Sequence, residues 1–246
     1  MMLQIDVGNT QTKWRVVDGE SICSRGSQDT ESLIDSELDL SAVGSITEAR
    51  LSSVADSRVA QAIKNQLATQ FNIELQVATV SASAGGVACG YEDLRALGVD
   101  RWLALVAAYQ LYQGAVLVVD VGSAMTLDLV SPDGQHVGGY ILPGLRLMRE
   151  ALWRGTEKVK PDPTVESIET INMLVPGAVT EDAVNRGCLL AAVATVEKLA
   201  STYPAAIVIT GGDALPLIEA LSLKTDHKPD LVLAGLGTVG VTLEPA

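Results

Sequence analysis

Two carboxylates, Asp6 and Asp120, each stand just ahead of a glycine and a short polar residue. The phrases are Asp6-Val7-Gly8-Asn9-Thr10-Gln11-Thr12 and Asp120-Val121-Gly122-Ser123-Ala124-Met125-Thr126, in a chain of 246 residues. Asp, Val and Gly coincide, and Thr12 and Thr126 hold the same place in the two copies. A glycine lets the backbone approach a ligand where a Cβ would obstruct. A tight turn between two strands aims several backbone N–H groups into one concave space, which suits phosphate oxygens. Asn9, Thr10 and Ser123 add short polar side chains, and Lys13 can carry positive charge toward a β- or γ-phosphate. Carboxylates at two strand ends can hold hydrated cations and position a terminal phosphate. No Gly-x-x-x-x-Gly-Lys-[Ser/Thr] occurs, so a Walker-type loop is excluded. For a single copy the plain alternative is a hairpin turn, since Gly and Asn are ordinary turn residues. Repetition in one frame argues against that alternative.

Two further segments carry candidate chemistry. Ile207-Val208-Ile209-Thr210-Gly211-Gly212-Asp213 reads as an apolar strand, a Gly-Gly turn and a helix start. Gly211 and Gly212 would let the backbone lie against a base or ribose, and a helix N-terminus favours anionic groups. Taken alone, the same residues describe a strand-to-helix turn with Asp213 as N-cap. Gly98-Val99-Asp100-Arg101 precedes an expected helix over Trp102–Tyr112. Asp100 either caps that helix or accepts the proton of a substrate hydroxyl. A cation in a first helical turn opposes the helix dipole by about 0.3–1 kcal/mol. Arg101 therefore makes sense as a fork for a carboxylate or phosphate. Tyr91, in the Ser- and Gly-rich loop before it, is a packing residue or a substrate contact. His136 and His227 lack ligand spacing and read as surface or structural residues, and the three Trp as core. Cys23, Cys89 and Cys188 are odd in number and widely spaced, which argues against a disulfide framework or zinc and for a reducing cytosol. They read as small buried hydrophobes.

The elements that must position these residues come in a repeated order. Strands are expected over Leu3–Val7, Thr12–Val17 and Glu20–Ser24, with a hairpin turn at Asp18-Gly19. A weakly patterned helix over Thr30–Leu38, a strand over Glu48–Val54, a helix over Arg58–Gln70 and a strand over Glu74–Val80 follow. The second half opens with strands over Ala115–Asp120, Thr126–Val130 and Gln135–Leu142, with its own Asp133-Gly134 turn. A helix from Leu145, a loop at Pro161-Asp162-Pro163, a long helix over Thr180–Ser201, a strand over Ile207–Ile209, a helix over Ala214–Leu221 and a last strand over Leu231–Leu233 complete it. Three strands and then alternating helices and strands, twice over, is the grammar of an α/β actin-like fold. It gives two duplicated ribonuclease H-like domains, each with a mixed five-stranded sheet flanked by helices and with an ATP cleft between them. The break is expected near Gln113-Gly114, giving domains 1–113 and 114–246.

Bulk properties narrow the partners. Hydrophobic residues make up 48% and aromatics only 4%, so aliphatic side chains must fill the core, as suits an α/β protein. A net charge of −13 without a cluster of Lys or Arg argues against nucleic acid and anionic membrane as partners. No apolar run reaches the ~18 residues of a membrane span; the most apolar segment, Trp102 to Asp120, is broken by Gln110, Gln113 and Gly114. A first strand starting at Leu3 leaves no room for a signal peptide.

Five motifs occur in order. They are Asp6-x-Gly8-Asn9-Thr10, Gly98-x-Asp100-Arg101, Asp120-x-Gly122-Ser123-Ala124-x-Thr126, Gly138-Gly139-x-Ile141-x-Pro143-Gly144 and Thr210-Gly211-Gly212-Asp213. The set resembles the type III pantothenate kinases, the bacterial enzymes that open coenzyme A biosynthesis, over essentially the whole chain. The resemblance implies ATP-dependent phosphorylation of the pantothenate hydroxyl in a cytoplasmic homodimer. It implies ATP phosphates on Asp6, Val7, Gly8, Asn9, Thr10, Gln11, Thr12 and Lys13, with Ser123, Gly211 and Gly212 also on the nucleotide. Asp100 would be the general base, and Tyr91, Gly98, Val99, Asp100 and Arg101 would bind pantothenate. Thr180 would reach substrate across the dimer interface, Asp120 would hold potassium or ammonium, and Mg²⁺ would accompany ATP. The family's second loop usually reads Asp-x-Gly-Thr-Ala, and Ser123 here keeps the hydroxyl without the methyl. Two rivals share the fold: a kinase or phosphatase for another small molecule, and a non-catalytic accessory factor for transcription.

Overall fold

Leu3, Ile5 and Val7 alternate with Gln4 and Asp6, and all but Asp6 are buried, the pattern of a strand covered on both faces. This is β1 (Met2–Val7), followed by β2 (Gln11–Asp18) and β3 (Ser21–Asp29). The computed structural model describes residues 1–41, 43–157, 159 and 174–246; the expected loop at Pro161-Asp162-Pro163 lies outside them. Where a helix over 30–38 is expected, the chain makes a single 3₁₀ turn, Glu31–Ile34. Ser32 donates its hydroxyl to the Asp29 carbonyl at 2.7 Å, and Ser36 donates to the Ser32 carbonyl at 2.7 Å. Such side chains compete with the helical ladder.

β4 (Glu48–Ser53) leads to α1 (Ser57–Phe71). The Asp56 carboxylate caps α1 by accepting from the Arg58 N–H, and Asn72 at φ 54° ends it. After β5 (Leu75–Thr79), the segment expected as loop holds a short hairpin of β6 (Ser83–Ala84) and β7 (Val87–Ala88). Then come α2 (Val99–Tyr112), β8 (Val116–Val121), β9 (Ala124–Val130), β10 (His136–Pro143) and α3 (Leu145–Gly155). α4 (Thr180–Thr202), β11 (Ala206–Thr210), α5 (Ala214–Ala220), β12 (Thr225–His227), α6 (Leu231–Leu236) and β13 (Thr242–Pro245) complete the chain.

Two sheets result. The first runs β13-β5-β4-β1-β2-β3 and the second β10-β9-β8-β11-β12. In each, three consecutive strands pair antiparallel and two later strands add parallel to the first of them. The duplication read from the two loops is therefore a duplication of topology. The first sheet has six strands rather than five because β13 pairs antiparallel with β5. The described residues divide into two compact units, Met1–Leu111 with Asp230–Ala246, and Tyr112–Pro229. Asp230–Ala246, the end of the expected segment 114–246, groups with the first unit, where β13 pairs with β5.

Leu231-Val232-Leu233, expected as the last strand, is the start of α6. A short apolar run does not distinguish strand from helix, and here close packing decides. A Cβ on Gly235 would lie 2.4 Å from the Leu103 carbonyl oxygen, so α6 lies against α2 with only a hydrogen between them. Within the first unit, Leu3, Ile5, Val7, Trp14 and Val16 pack with Val59, Ile63 and Leu67 of α1. Within the second, Val119, Val121, Met125 and Leu127 pack with Leu189, Val193 and Val196 of α4.

Several isolated expectations change. Trp14 and Trp102 are core, but Trp153 is 37% exposed on α3. Of the cysteines only Cys188 is buried, and burial pushes its thiol pKa up; Cys23 is exposed. His136 is structural: it is 1% exposed, with Nε2 3.2 Å from Asp128 Oδ1. Gly139 faces Asp128 across the β9–β10 ladder, and a Cβ there would sit 2.1 Å from Asp128 Oδ1. That glycine is a packing requirement.

Candidate functional site

The first loop, Gly8 to Thr10, joins β1 to β2. Gly8 N–H donates to the Gln11 carbonyl at 3.1 Å and closes the turn. Asp6 faces Lys13 across the antiparallel pair and Ser52 across the parallel one. Side chains of directly opposed residues share a sheet face, so Asp6, Lys13 and Ser52 project to one side. Ser52 was not anticipated; its hydroxyl is buried without a hydrogen-bond partner. Asn9, Thr10 and Gln11 are exposed. Val7 and Thr12 are fully buried and project into the core, so within the expected phosphate set they support the loop from behind.

The second loop differs by one residue. Val7 pairs with Thr12, whereas Val121 pairs with Met125. The structural counterpart of Thr126, opposite Asp120, is therefore Lys13, opposite Asp6, and the counterpart of Thr12 is Met125. Sequence alignment of the two phrases misses this because the shortening falls inside the turn. Gly122 N–H donates to the Ala124 carbonyl, and Gly144 N–H donates to the Ser123 carbonyl, both at 3.0 Å. A Cβ on Gly144 would lie 2.0 Å from the Gly122 carbonyl oxygen, so the Pro143-Gly144 turn is pressed onto the second loop. From the other side, Asp213 N–H donates to the Val121 carbonyl at 2.9 Å. Gly211, at φ +101°, lies so near Val121 that a Cβ would be 2.3 Å from its oxygen. Asp120, Ser123, Gly144 and Gly211 thus converge within the second unit. The Asp213 carboxylate makes no capping hydrogen bond to α5, although sequence alone suggests one.

Asp100 and Arg101 occupy the first turn of α2, whose first helical bond runs from Trp102 N–H to the Gly98 carbonyl, 3.0 Å. Asp100 Oδ1 accepts the Arg101 N–H at 2.8 Å. It also sits where a Cβ at position 98 would be, 2.5 Å from that ideal atom, so a glycine at 98 makes room for the carboxylate. Arg101 is 8% exposed. It donates from Nη1 to the Tyr91 hydroxyl at 3.1 Å, and its Cζ lies 5.7 Å from the Tyr91 ring centroid. Both contacts support a cation otherwise opposed by the helix dipole. Tyr91, Gly98, Asp100 and Arg101 are therefore one cluster, with the carboxylate set beside Gly98 and the guanidinium against Tyr91. Thr180 is exposed at the first position of α4.

Two units of this topology, each with an Asp-x-Gly turn after its first strand, define an actin-like ATPase or sugar-kinase fold. Solved structures agree on the fold. A conserved putative Baf family transcriptional activator from Campylobacter jejuni matches 96% of this chain and 95% of its own, with TM-score 0.62 and 19% identity. A putative 2-dehydro-3-deoxygalactonokinase from Sinorhizobium meliloti matches 96% of this chain and 97% of its own, with TM-score 0.58 and 12% identity. At such identities the likeness extends to fold alone. The family model for type III pantothenate kinase matches residues 2–202. The type III pantothenate kinase of Chromohalobacter salexigens is 41% identical over 97% of this chain and 86% of that protein. That of Ectopseudomonas mendocina is 40% identical over 96% and 97%. The chain belongs to the type III pantothenate kinase family.

Proposed function

We propose that this protein transfers the γ-phosphoryl group of ATP to the primary hydroxyl of pantothenate, giving 4'-phosphopantothenate, the first step of coenzyme A biosynthesis. The observation that carries the reading is the Asp100–Arg101–Tyr91 cluster. Pantothenate has a carboxylate for the Arg101 fork and a hydroxyl whose proton Asp100 can accept. As the proton passes to Asp100, the substrate oxygen attacks the γ-phosphorus in line and ADP leaves. Such a transfer needs mainly positioning and charge neutralisation. Gly98 and Val99 frame the acceptor. Asp6, Gly8, Asn9, Thr10, Gln11 and Lys13, with Ser123, Gly211 and Gly212, hold ATP, Val7 and Thr12 support the first loop from the core, and Thr180 reaches acceptor from a second copy.

Mg²⁺ would accompany the ATP phosphates, and Asp120 would hold potassium or ammonium. No cluster of three or more His, Cys, Asp or Glu exists among the described residues. When bound, these cations supply neutralising charge to the phosphoryl oxygens.

A homodimer is supported by an exposed apolar edge strand on the second unit. β10 is a sheet edge, and Val137, Tyr140 and Ile141 on it are 57%, 54% and 65% exposed. Exposed apolar edges mark interfaces. Light scattering on the purified protein is expected to give twice the chain mass, and a monomer at assay concentration overturns the dimer. No helix among the described residues is long and apolar enough to cross a membrane.

The decisive assay follows ADP release from ATP with Mg²⁺ and K⁺ over a panel of pantothenate, hexoses and a no-acceptor control. Release with pantothenate alone is the expected result. Release with a sugar would assign a different kinase, and no release with any acceptor would favour the accessory-factor reading.

A further inference from the structure

Thr30 follows β3, carries none of the motifs, and is 3% exposed. Its N–H donates to the Thr10 carbonyl at 3.0 Å. Its hydroxyl donates to the Gly8 carbonyl at 2.9 Å and lies 3.0 Å from the buried Thr12 hydroxyl. A carbonyl only accepts and a hydroxyl has one proton, so the Thr30 proton goes to Gly8 and Thr12 must donate to Thr30. One residue thus grips the turn on both sides of Asn9. We infer that Thr30 is a positioning residue for the first phosphate loop, acting through the Gly8 and Thr10 carbonyls.

Peptide geometry gives the clamp a consequence for ligand. In a trans peptide the carbonyl and the following N–H point in opposite directions. Anchoring the Gly8 carbonyl on Thr30 turns the Asn9 N–H away from Thr30. Asn9 and Thr10 are exposed, so that donor is held on the open side of the turn. An N–H oriented before ligand arrives loses less entropy on binding phosphate than one that must be ordered. Thr30 therefore adds to ATP affinity without touching ATP.

The inference rests on the reading of residues 6–13 as a phosphate loop, and the variants separate the two. Thr30→Val keeps the shape and removes the hydroxyl. It is expected to raise KM for ATP about 10-fold and to leave KM for pantothenate within about 2-fold. Thr30→Ser, which restores the hydroxyl, is expected to return KM for ATP to within about 3-fold of the parent. A Thr30→Val protein with unaltered KM for ATP overturns the clamp, as does one in which both KM values and the melting temperature shift together. Should Thr30→Val not fold, Thr12→Val removes the supporting donor and is expected to raise KM for ATP about 3-fold; no rise there overturns the clamp equally. Asn9→Pro, which deletes the Asn9 N–H, is the control. A rise in KM for ATP in Asn9→Pro without one in Thr30→Val removes only the clamp, while no effect of Asn9→Pro removes the phosphate-loop reading and the clamp with it.

Discussion

Asp100→Asn is expected to lower kcat by about 100-fold or more and to leave KM for ATP nearly unchanged. The substitution is close to isosteric, and the fold has reason to survive it. The amide oxygen of Asn can still accept the Arg101 N–H that Asp100 Oδ1 accepts at 2.8 Å. Gly98 leaves the same space open beside it, since no Cβ competes for the position. What the amide cannot do is accept the hydroxyl proton as the new P–O bond forms. A factor of 100 corresponds to about 2.7 kcal/mol of transition-state stabilisation. Steady-state kinetics with both substrates varied, together with nucleotide binding followed directly, separate this from misfolding. An Asp100→Asn enzyme with parental kcat removes Asp100 from the chemistry and leaves it as a residue of the helix start. Loss of ATP binding in the same variant would place the carboxylate in the nucleotide site instead.

The Asp100 neighbourhood also illustrates what a sequence conveys and what it hides. Strands β1, β2, β8 and β9 were legible because short apolar runs, alternating in β1 and continuous in β8, and two Asp-Gly turns are local signals. The odd placement of Arg101 in a first helical turn pointed to a carboxylate or phosphate; the guanidinium also donates to the Tyr91 hydroxyl, ten residues back, a contact the sequence did not show. Three features were not legible, each for a physical reason. Leu231-Val232-Leu233 suits a strand or a helix, and Gly235 against Leu103 decides for the helix. Thr126 aligns with Thr12 by count, yet the shorter second turn puts it opposite Asp120 as Lys13 is opposite Asp6. Thr30 and Ser52 meet the first loop only through hydrogen bonding and strand register, and no local pattern marks a residue that acts at such a distance along the chain.

Gly211→Ala and Gly212→Ala are expected to fail in different ways, although the residues are adjacent and chemically identical. Gly211 has φ +101°, a region costly for any residue with a side chain, and its added Cβ would lie 2.3–2.5 Å from three backbone atoms of Val121. Backbone cannot rotate aside as a side-chain end can. Strain and overlap together are expected to cost about 2–5 kcal/mol. For a chain of this size that lowers Tm by roughly 5–15 °C. The damage reaches the second loop, because Val121 accepts from Asp213 N–H and directly precedes Gly122. KM for ATP is therefore expected to rise as stability falls. At Gly212 nothing lies within 4 Å of the added atom, and the position is exposed. Gly212→Ala is expected to keep Tm within about 2 °C, since a methyl in open space removes no native contact. If the nucleotide lies against this turn, the methyl stands between it and the backbone, and KM for ATP rises without any loss of stability. Thermal melts and ATP titrations on the two variants decide the matter. A stable Gly211→Ala protein would mean that the turn can relax away from Val121. A Gly212→Ala protein unchanged in both measurements would move the nucleotide off this turn and leave Gly211 with a purely structural task.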